Sequence, residues 1–412
     1  MIRSSARVLG AALLFLLMLG HAAYGATIKE TVIYPFSAFP GCNSPVAPLI
    51  ADASGNLYGT ASNGGTYQHG CVFELSPNAD GTWNEATLYI FSGPDGQFPS
   101  APLTFDRSGN LYGTAKSGGT YNSGVAFELS PSANGQWAET VLYNFGNGED
   151  GAAPESELVF DSLRNPYGTT GAGGARRGGT VFRLTPGSNG WAETILYDFP
   201  ASVGGPDGDI PAGGVVLGPQ GRIYGATGFG GAQGAGAVYE LTPSATGYTE
   251  QLIFSFLSNN GLEPNSSLVM DSKGRLYGTT LAGGIGWGNV FRLTRGTNGT
   301  WTEQILHNFG GNNGANGFYP VGPICLDRLG DVFVATMSGG GPYPDYGTVH
   351  VLRPTTNGTW NDFILHVFEY PVGGTDGTSP YAGVTLVHGQ LFGTTSRGGI
   401  NDDGTVFSIS AN

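Results

Sequence analysis

Four charged residues have types and spacing that could do chemistry in this chain: Glu155, Glu157, Arg176 and Arg177. The two glutamates are two positions apart in the segment ESELVFD, so their side chains would lie on one face of an extended strand. A carboxyl group beside an arginine has a lowered pKa, which suits a charge clamp for a ligand better than a general acid. Glycoside hydrolysis would need a second carboxyl group with a raised pKa.

Other catalytic and metal-binding patterns are weak. Asp207 and Asp209 could supply a second carboxyl group, but no motif specifies them. The six histidines, including His21, never stand at the spacing of zinc ligands, so we expect no metal site. The sequence has neither a G-x-S-x-G nucleophile motif nor a phosphate-binding loop, and we expect no cofactor.

Short segments that begin near Gly-Gly carry a second group of candidate side chains, which combine aromatic rings with charged or polar groups. Aromatic faces that contact sugar C–H groups, together with carboxylate and guanidinium hydrogen bonds, would suit a neutral or basic glycan. The alternative is that these are ordinary exposed loop residues. The candidates are Tyr67, His69, Tyr121, Arg176, Arg177, Trp287, Tyr343, Asp345, Tyr346, Arg397, Asp402 and Asp403.

The elements that position these residues follow from an internal repeat. The phrase LYGT or a close variant recurs from Leu57 to Leu391, 334 residues in six steps, a period of about 56. Each period holds four short apolar runs with β-branched and aromatic residues, bounded by Gly, Asn and Pro, which indicates four strands, A to D. In the second copy they are APLTFD, NLYGTA, VAFELS and WAETVLYNF, at 101–106, 110–115, 125–130 and 137–145.

Four antiparallel strands repeated at this length predict an all-β, seven-bladed β-propeller with four-stranded antiparallel blades. The repeat begins with a lone D strand at 28–36 and ends with A, B and C strands within 382–410. We expect the N-terminal strand to complete the last blade and close the ring, because this removes two exposed sheet edges. The D-to-A and B-to-C connections then emerge at one end, with Glu155 and Glu157 facing the channel mouth.

The repeat also resembles a known family. D-x-x-G-N-L-Y-G-T-T, then G-G, then G-x-V-F-E-L and W-x-E-x-x-L-Y-x-F are similar to the GloVer-type tandem repeat of exported bacterial proteins. The resemblance covers nearly all of residues 26–412 and implies a fold and an export route, with no catalytic residues to carry over. Members often have a C-terminal anchor after the repeats, so its absence here implies a released protein.

Residues 1–25 are interpreted as a signal peptide. Arg3 and Arg7 precede the apolar segment Val8 to Leu19, and cleavage is expected after Gly25. Removing two arginines and no acid changes the net charge from −14 to −16. Such an acidic protein is a poor partner for nucleic acid or anionic lipid. We therefore expect one domain, 26–412, that is secreted or periplasmic, has no membrane anchor and is a monomer.

Acidic residues that recur in every period are interpreted as scaffold, because a ring repeats its structural residues in each blade. Strand D contributes Glu30, Glu85, Glu139, Glu193, Glu250, Glu303 and Asp362. The turn after strand A contributes Asp52, Asp106, Asp161, Asp271 and Asp327, whose carboxylates can accept backbone N–H groups. Asp-Gly pairs at 95–96, 150–151, 207–208 and 376–377 are interpreted as turns or, alternatively, as cation ligands.

The three cysteines allow one disulfide. Cys42 lies in the connection into the first blade and Cys71 begins strand C of that blade, so both would lie at the same end. We predict a Cys42–Cys71 bond, with Cys325 free and buried in strand A of the sixth blade. Three unpaired thiols are the alternative.

The function predicted from these patterns is binding of a glycan or small polar ligand at the B-to-C loop face, without catalysis. An extracytoplasmic polysaccharide hydrolase or lyase that uses the same face is the first alternative. A protein-interaction scaffold is the second.

Overall fold

A computed structural model of the chain describes residues 28–37, 40–188, 190–201, 205, 207–311, 314–341, 346–369 and 376–411. The predicted signal peptide, Tyr343 and Asp345 lie outside the described residues. Over the described ranges, no helix has the length and apolar character that a membrane crossing requires.

Seven antiparallel sheets, each with strands in the order A-B-C-D, confirm the seven-bladed β-propeller. The A strands are Ile50–Ala51, Thr104–Phe105, Val159–Phe160, Gly208–Leu217, Val269–Met270, Cys325–Leu326 and Val384–Val387. The B strands are Leu57–Ala61, Leu111–Ala115, Pro166–Gly173, Ile223–Gly230, Leu276–Thr280, Val332–Ser338 and Gln390–Thr395. The C strands are Cys71–Pro77, Val125–Pro131, Arg177–Gly187, Ala237–Ser244, Asn289–Arg295, Thr348–Pro354 and Thr405–Ala411. The D strands of blades 1 to 6 are Trp83–Ile90, Trp137–Asn144, Gly190–Pro200, Gly247–Ser255, Trp301–Asn308 and Trp360–Val367, and that of blade 7 is Ile28–Pro35.

Six shorter strands and one helical turn lie at the ends of the blades. The strands are Cys42–Asn43, Asn63–Gly64, Gly151–Pro154, Phe318–Pro320, Gly377–Thr378 and Arg397–Gly398, and the 3₁₀ turn is Pro219–Gly221. Cys42–Asn43 from a D-to-A connection pairs with Asn63–Gly64 from a B-to-C loop. The two kinds of connection therefore lie at the same end of the propeller, as predicted.

The LYGT repeat is explained by packing between strands B and C. A Cβ atom placed on Gly59 would lie 2.6 Å from Cζ of Phe73 and 2.8 Å from Cδ2 of Leu49, so only glycine leaves room for the aromatic ring. Phe73 is fully buried, and burial of such an apolar ring stabilises blade 1. The same Gly–Phe relationship joins Gly113 to Phe127 in blade 2.

The N-terminal strand Ile28–Pro35 pairs antiparallel with Thr405–Ala411, so one blade combines both ends of the repeat. Phe36 then enters the core of blade 1, where its ring centroid is 5.0 Å from that of Phe73. The backbone N–H of Phe36 donates to the carbonyl of Gly404 at 2.9 Å. The first described segment therefore contacts blade 7 and blade 1.

Neighbouring blades are joined by an X-Pro dipeptide that lies before strand A or, in blade 4, within it. The first residue of each dipeptide has a positive φ. The backbone N–H of Phe98, with φ 57°, donates to the carbonyl of His69 in the preceding blade at 2.9 Å. Ser44 makes the same contact with Asp403, at 2.9 Å, between blades 1 and 7. A non-glycine residue in this region of φ is uncommon, and here it occurs once per blade. The seven residues are Ser44, Phe98, Ala153, Ile210, Glu263, Tyr319 and Ser379.

Two cysteines form the predicted disulfide. Cys42 and Cys71 are bonded, with Cα atoms 6.1 Å apart, and both side chains are buried. Cys325 is a free thiol that is half-buried, and burial raises its pKa to about 11. The bond connects the segment that enters blade 1 to strand C of the same blade.

The aspartates after strand A have the predicted turn role. Oδ1 of Asp52 accepts the backbone N–H groups of Ser54 at 2.8 Å and Asn56 at 3.0 Å. Asp106 repeats this arrangement in blade 2. These carboxylates stabilise hairpins and do not line the channel.

Candidate functional site

A cavity of about 470 Å³ lies at the centre of the ring, and residues from all seven blades line it. It opens at the end where the B strands finish, because Gly171, Gly228 and Phe229 contribute to the wall. Most of the rest of the wall comes from the X-Pro dipeptides and the residues that follow them. The cavity therefore lies at the end of the propeller that carries the B-to-C loops.

These wall segments were predicted as part of strand A, which proved too long. Strand A of blade 2 was predicted at 101–106, yet only Thr104–Phe105 pairs with strand B. Prolines explain the difference, because Pro99 and Pro102 have no N–H to donate to a ladder. In blade 2 the backbone before strand A therefore leaves the sheet, and Ser100 and Pro102 line the channel.

Glu157 of blade 3 is the most constrained acid in the cavity. Its Oε2 accepts a hydrogen bond from Oγ of Ser267 in blade 5 at 2.9 Å. The same Ser267 oxygen accepts the backbone N–H of Gly214 in blade 4 at 2.8 Å. Burial raises the pKa of Glu157, and the hydrogen bond from Ser267 opposes that shift. The side chain can therefore hold a proton at a higher pH than an exposed glutamate.

Gly214 of blade 4 leaves space for the side chain of Glu157, which extends across that blade. A Cβ atom there would lie 2.8 Å from Cδ and 2.9 Å from Oε1 of Glu157. The absence of a side chain lets blade 3 contact blade 5 along the channel wall.

Three further polar groups lie on the same side of the cavity. Glu155 forms an ion pair with Lys116 of blade 2 and is partly exposed. Glu263 and Asn265 of blade 5 also line the wall. Oδ1 of Asn265 is buried without a hydrogen-bond partner among the described residues, and such an atom gains free energy from a ligand that donates to it. Blades 3 and 5 therefore supply the polar side of the cavity.

The opposite side of the cavity is apolar. Blades 1, 2, 6 and 7 contribute Pro48, Pro102, Pro323 and Tyr381, and Tyr381 is half-exposed. Proline rings and a tyrosine face are flat, rigid and apolar, which suits the C–H face of a ring-shaped ligand. The cavity is thus amphipathic across its width.

Comparison with known proteins identifies the repeat. The Gloeobacter/Verrucomicrobia repeat profile matches residues 22–206 and again 194–407. The chain belongs to the Gloeobacter/Verrucomicrobia repeat family. This confirms the resemblance found in the sequence, and no curated protein matches this family member.

Solved structures that resemble this family member share its fold. The extracellular domain of a B. thetaiotaomicron one-component system is 9% identical, with a TM-score of 0.55 over 90% of this chain and 39% of that chain. The chain thus spans about two fifths of the length of that protein. A polysaccharide lyase of family PL25, an ulvan lyase, is 10% identical, with a TM-score of 0.54 over 92% of this chain and 95% of that chain. At these identities the likeness shows the propeller fold alone.

Among the predicted site residues that fall within the described ranges, Glu155 and Glu157 alone line the cavity. The predicted clamp between these glutamates and the arginines of blade 3 was wrong. Nη2 of Arg176 instead lies 2.9 Å from Oδ2 of Asp207, because its loop turns towards the connection into blade 4. Arg177 is exposed, with φ 66°, at the turn that begins strand C.

The aromatic candidates lie on separate loops around the cavity. Trp287 packs edge-on against Phe318 and Tyr319, with ring centroids 5.8 Å and 5.6 Å away. Tyr67 and Tyr121 project from their loops and are about half-exposed.

The other candidates have contacts that fit a structural role. The rings of His69 and Phe98 meet edge-on, 6.3 Å apart. Tyr346 is half-buried and packs against a blade core, and its carbonyl accepts the N–H of Ser379.

The blade 7 candidates lie in one B-to-C loop. Oδ1 of Asp402 accepts the backbone N–H of Gly398 at 2.9 Å, and Arg397 is exposed. The Asp403 carbonyl makes the Ser44 contact described above, which gives this loop a role between blades.

Sequence reasoning missed Glu263, Asn265, Ser267 and Tyr381. All four follow an X-Pro dipeptide or belong to it, and the recurring proline before strand A is the signal that could have found them. The residues after that proline differ between blades, whereas the flanking strand residues repeat. Residues that differ between blades and directly follow the recurring X-Pro proline are therefore the ones that line the channel.

Proposed function

We propose that this protein binds a neutral or basic glycan unit, or a small polar molecule of similar shape, in the central cavity. The observation that carries the proposal is the pairing of Glu157 and Ser267 opposite a wall of prolines and Tyr381. A sugar ring has the same two-sided character, with hydroxyl groups at its edge and C–H groups on its faces.

The size of the cavity supports a small ligand. At about 470 Å³ it falls within the roughly 300–1,000 Å³ of small-molecule sites. A longer glycan would extend over the rim, where Tyr67, Tyr121 and Trp287 remain candidate contacts.

The charge of the lining favours neutral or basic ligands. Glu155, Glu157 and Glu263 line the cavity, and none of the described lining residues is Lys, Arg or His. Lys116 pairs with Glu155 from outside the lining, but an anionic ligand would still meet Glu157 and Glu263 without a cation in the wall, which disfavours its binding.

An extracytoplasmic location is part of the proposal. The buried Cys42–Cys71 disulfide requires an oxidising compartment to form and persist, which agrees with the predicted signal peptide. The extracellular domain with the same fold is consistent with this location.

A polysaccharide hydrolase or lyase is the second candidate. The raised pKa of Glu157 gives the cavity a group able to donate a proton, and an ulvan lyase has the same fold. One structure of that lyase carries a glucuronate–sulfated rhamnose ligand, which is anionic, whereas the cavity here is lined by acids. Binding of an intact ligand therefore fits the cavity better, and a protein-interaction scaffold has less support.

The experiment is a glycan array read in parallel with a product assay. Neutral, amino-sugar and uronate oligosaccharides are immobilised for binding, and the same glycans in solution are analysed for shortened chains. Retention of intact neutral or amino-sugar glycans supports the proposal. Release of shortened products supports the enzyme, and binding restricted to uronates contradicts the charge argument.

A further inference from the structure

The interface between blades 6 and 7 contains three side chains with metal-binding atoms. Glu30 comes from the N-terminal strand, His366 from strand D of blade 6, and Asp376 from the connection into blade 7. One ligand atom from each lies within 4.8 Å of the others. These residues are far apart in sequence, and only ring geometry brings them together.

Equivalent positions between blades 2 and 3 hold a different set of groups, whereas blade 5 also has a histidine, His307, near the carboxylate of Asp362. Between blades 2 and 3, Tyr143 donates its hydroxyl to Oδ2 of Asp150 at 2.8 Å, and Oε2 of Glu193 lies 3.5 Å from the same hydroxyl. Tyrosine occupies the seventh position of strand D there, whereas His366 occupies that position in blade 6. The hydroxyl donor is replaced by an imidazole nitrogen that can donate an electron pair.

Two of the three ligand atoms have no hydrogen-bond partner. Nε2 of His366 and Oε1 of Glu30 are buried and unpartnered among the described residues. His366 Nε2 is 3.4 Å from Oδ2 of Asp376, without the alignment of a hydrogen bond. Oε1 is unpartnered in the corresponding glutamates of blades 2 to 5 as well, so the observation particular to this cluster is the unpartnered Nε2 of His366. Buried polar atoms are nearly always satisfied, and this nitrogen therefore indicates a missing partner.

We propose that Glu30, His366 and Asp376 form a binding site for a divalent transition-metal ion such as Zn²⁺. One imidazole and two carboxylates are a ligand set that zinc accepts, with water in a fourth position. Asp376 is held in place for this role, because its Oδ1 accepts the N–H of Gly377 at 2.8 Å and its Oδ2 that of Glu369 at 3.0 Å. Such fixed carboxylates bind metals more tightly than mobile ones.

A bound cation would also compensate charge in this cluster. The carboxyl groups of Glu30 and Asp376 lie close together at the interface. A divalent ion would neutralise both carboxylates and remove their repulsion. Because Glu30 belongs to the N-terminal strand, the ion would also fasten that strand to blade 6.

The test is isothermal titration of Zn²⁺ into chelator-treated protein without a histidine tag, together with thermal melting. We expect one Zn²⁺ per chain and a higher melting temperature with the ion, since a ligand of the folded state stabilises it. Mg²⁺, which prefers oxygen ligands and water, should give neither effect.

Matched variants locate the site. His366→Tyr gives the Tyr–Asp–Glu arrangement that is found between blades 2 and 3, so the protein should fold and lose the heat of zinc binding. Glu30→Gln should weaken binding, whereas Glu193→Gln, its counterpart in blade 3, should leave it unchanged. Absence of zinc binding by the unaltered protein, or full binding by a folded His366→Tyr variant, would overturn the proposal.

Discussion

Glu157 of blade 3 and Ser267 of blade 5 are hydrogen-bonded across the channel wall, with 2.9 Å between Oε2 and Oγ. They bypass blade 4, where Gly214 has no side chain to separate them. The bond fixes an acid of raised pKa at the polar side of the cavity. Its removal should therefore change ligand binding more than folding.

Gly214→Ala should displace the Glu157 carboxylate and weaken ligand binding. The new Cβ would lie 2.8 Å from Cδ of Glu157, the mobile end of a side chain, so the fold can accommodate it. Affinity and melting temperature are measured together. Reduced affinity with nearly unchanged melting is expected, while unchanged affinity would show that the position of Glu157 does not matter.

The raised pKa values of the glutamates in strand D lead us to expect that the free energy of unfolding falls as the pH rises. Burial, followed by the charge of Asp95, raises the pKa of Glu139 from 4.5 to about 7 in the folded state. Glu193, Glu250 and Glu303 have similar values. A raised pKa contributes stability that is fully present below about 4.5 and lost as the pH rises through about 7.

The measurement is melting temperature against pH for the unaltered protein and Glu139→Gln. Glutamine resembles the protonated acid, so the variant should melt higher above that range and similarly below it. The exposed Glu149→Gln is the control. A variant that melts lower at every pH would show that the charged form is the stabilising one.

Tyr277→Ala should destabilise the protein by about 3–5 kcal/mol, as large aromatic truncations in cores do. The ring is 1% exposed, and its hydroxyl donates to Oδ2 of Asp271 at 3.2 Å. Tyr121→Ala, on an exposed loop, is the matched control and should change the free energy of unfolding little. The free energy of unfolding is measured by denaturant titration. Equal losses of this free energy in the two variants would contradict the assignment of Tyr277 to the core and Tyr121 to the rim.

Removal of residues 26–37 should cause aggregation or a large fall in melting temperature. Blade 7 would lose its D strand, leaving the edge of Thr405–Ala411 exposed, and blade 1 would lose the buried ring of Phe36. A truncated protein that melts like the longer one would show that the N-terminal strand is dispensable.

Replacement of Cys71 by Ser should destabilise the protein by about 3–4 kcal/mol, because the bond closes a loop with a sequence separation of 29. Thiol titration of the unaltered protein under denaturing, non-reducing conditions should find one free thiol, Cys325. Three free thiols would contradict the pairing.

Sequence repetition was sufficient to predict the blades, because features such as Gly59 against Phe73 recur locally in six of the seven blades. It also predicted the disulfide, since both cysteines belong to one blade. The contact between Glu157 and Ser267 could not be found that way, because it depends on how three blades converge at the axis. The grouping of Glu30 with His366 likewise depends on closure of the ring.

Most of the site residues predicted from the B-to-C loops do not line the cavity, for a related reason. Tyr67 and Arg176 depart from the repeat, but departure alone does not show where a side chain points. Arg176 pairs with its neighbour Asp207 and does not reach the cavity. The X-Pro prolines recur in every blade, and the variable residues that follow them lie at the axis.

The most direct measurement is calorimetric titration of the best short glycan from the array into four folded variants. Glu157→Gln and Tyr381→Ala alter the two sides of the cavity, whereas Tyr67→Ala and Tyr121→Ala alter the rim. The account predicts that the cavity variants lose affinity and that the rim variants bind like the unaltered protein. Loss of affinity in the rim variants, with binding retained in both cavity variants, would contradict a ligand site at the centre of the ring.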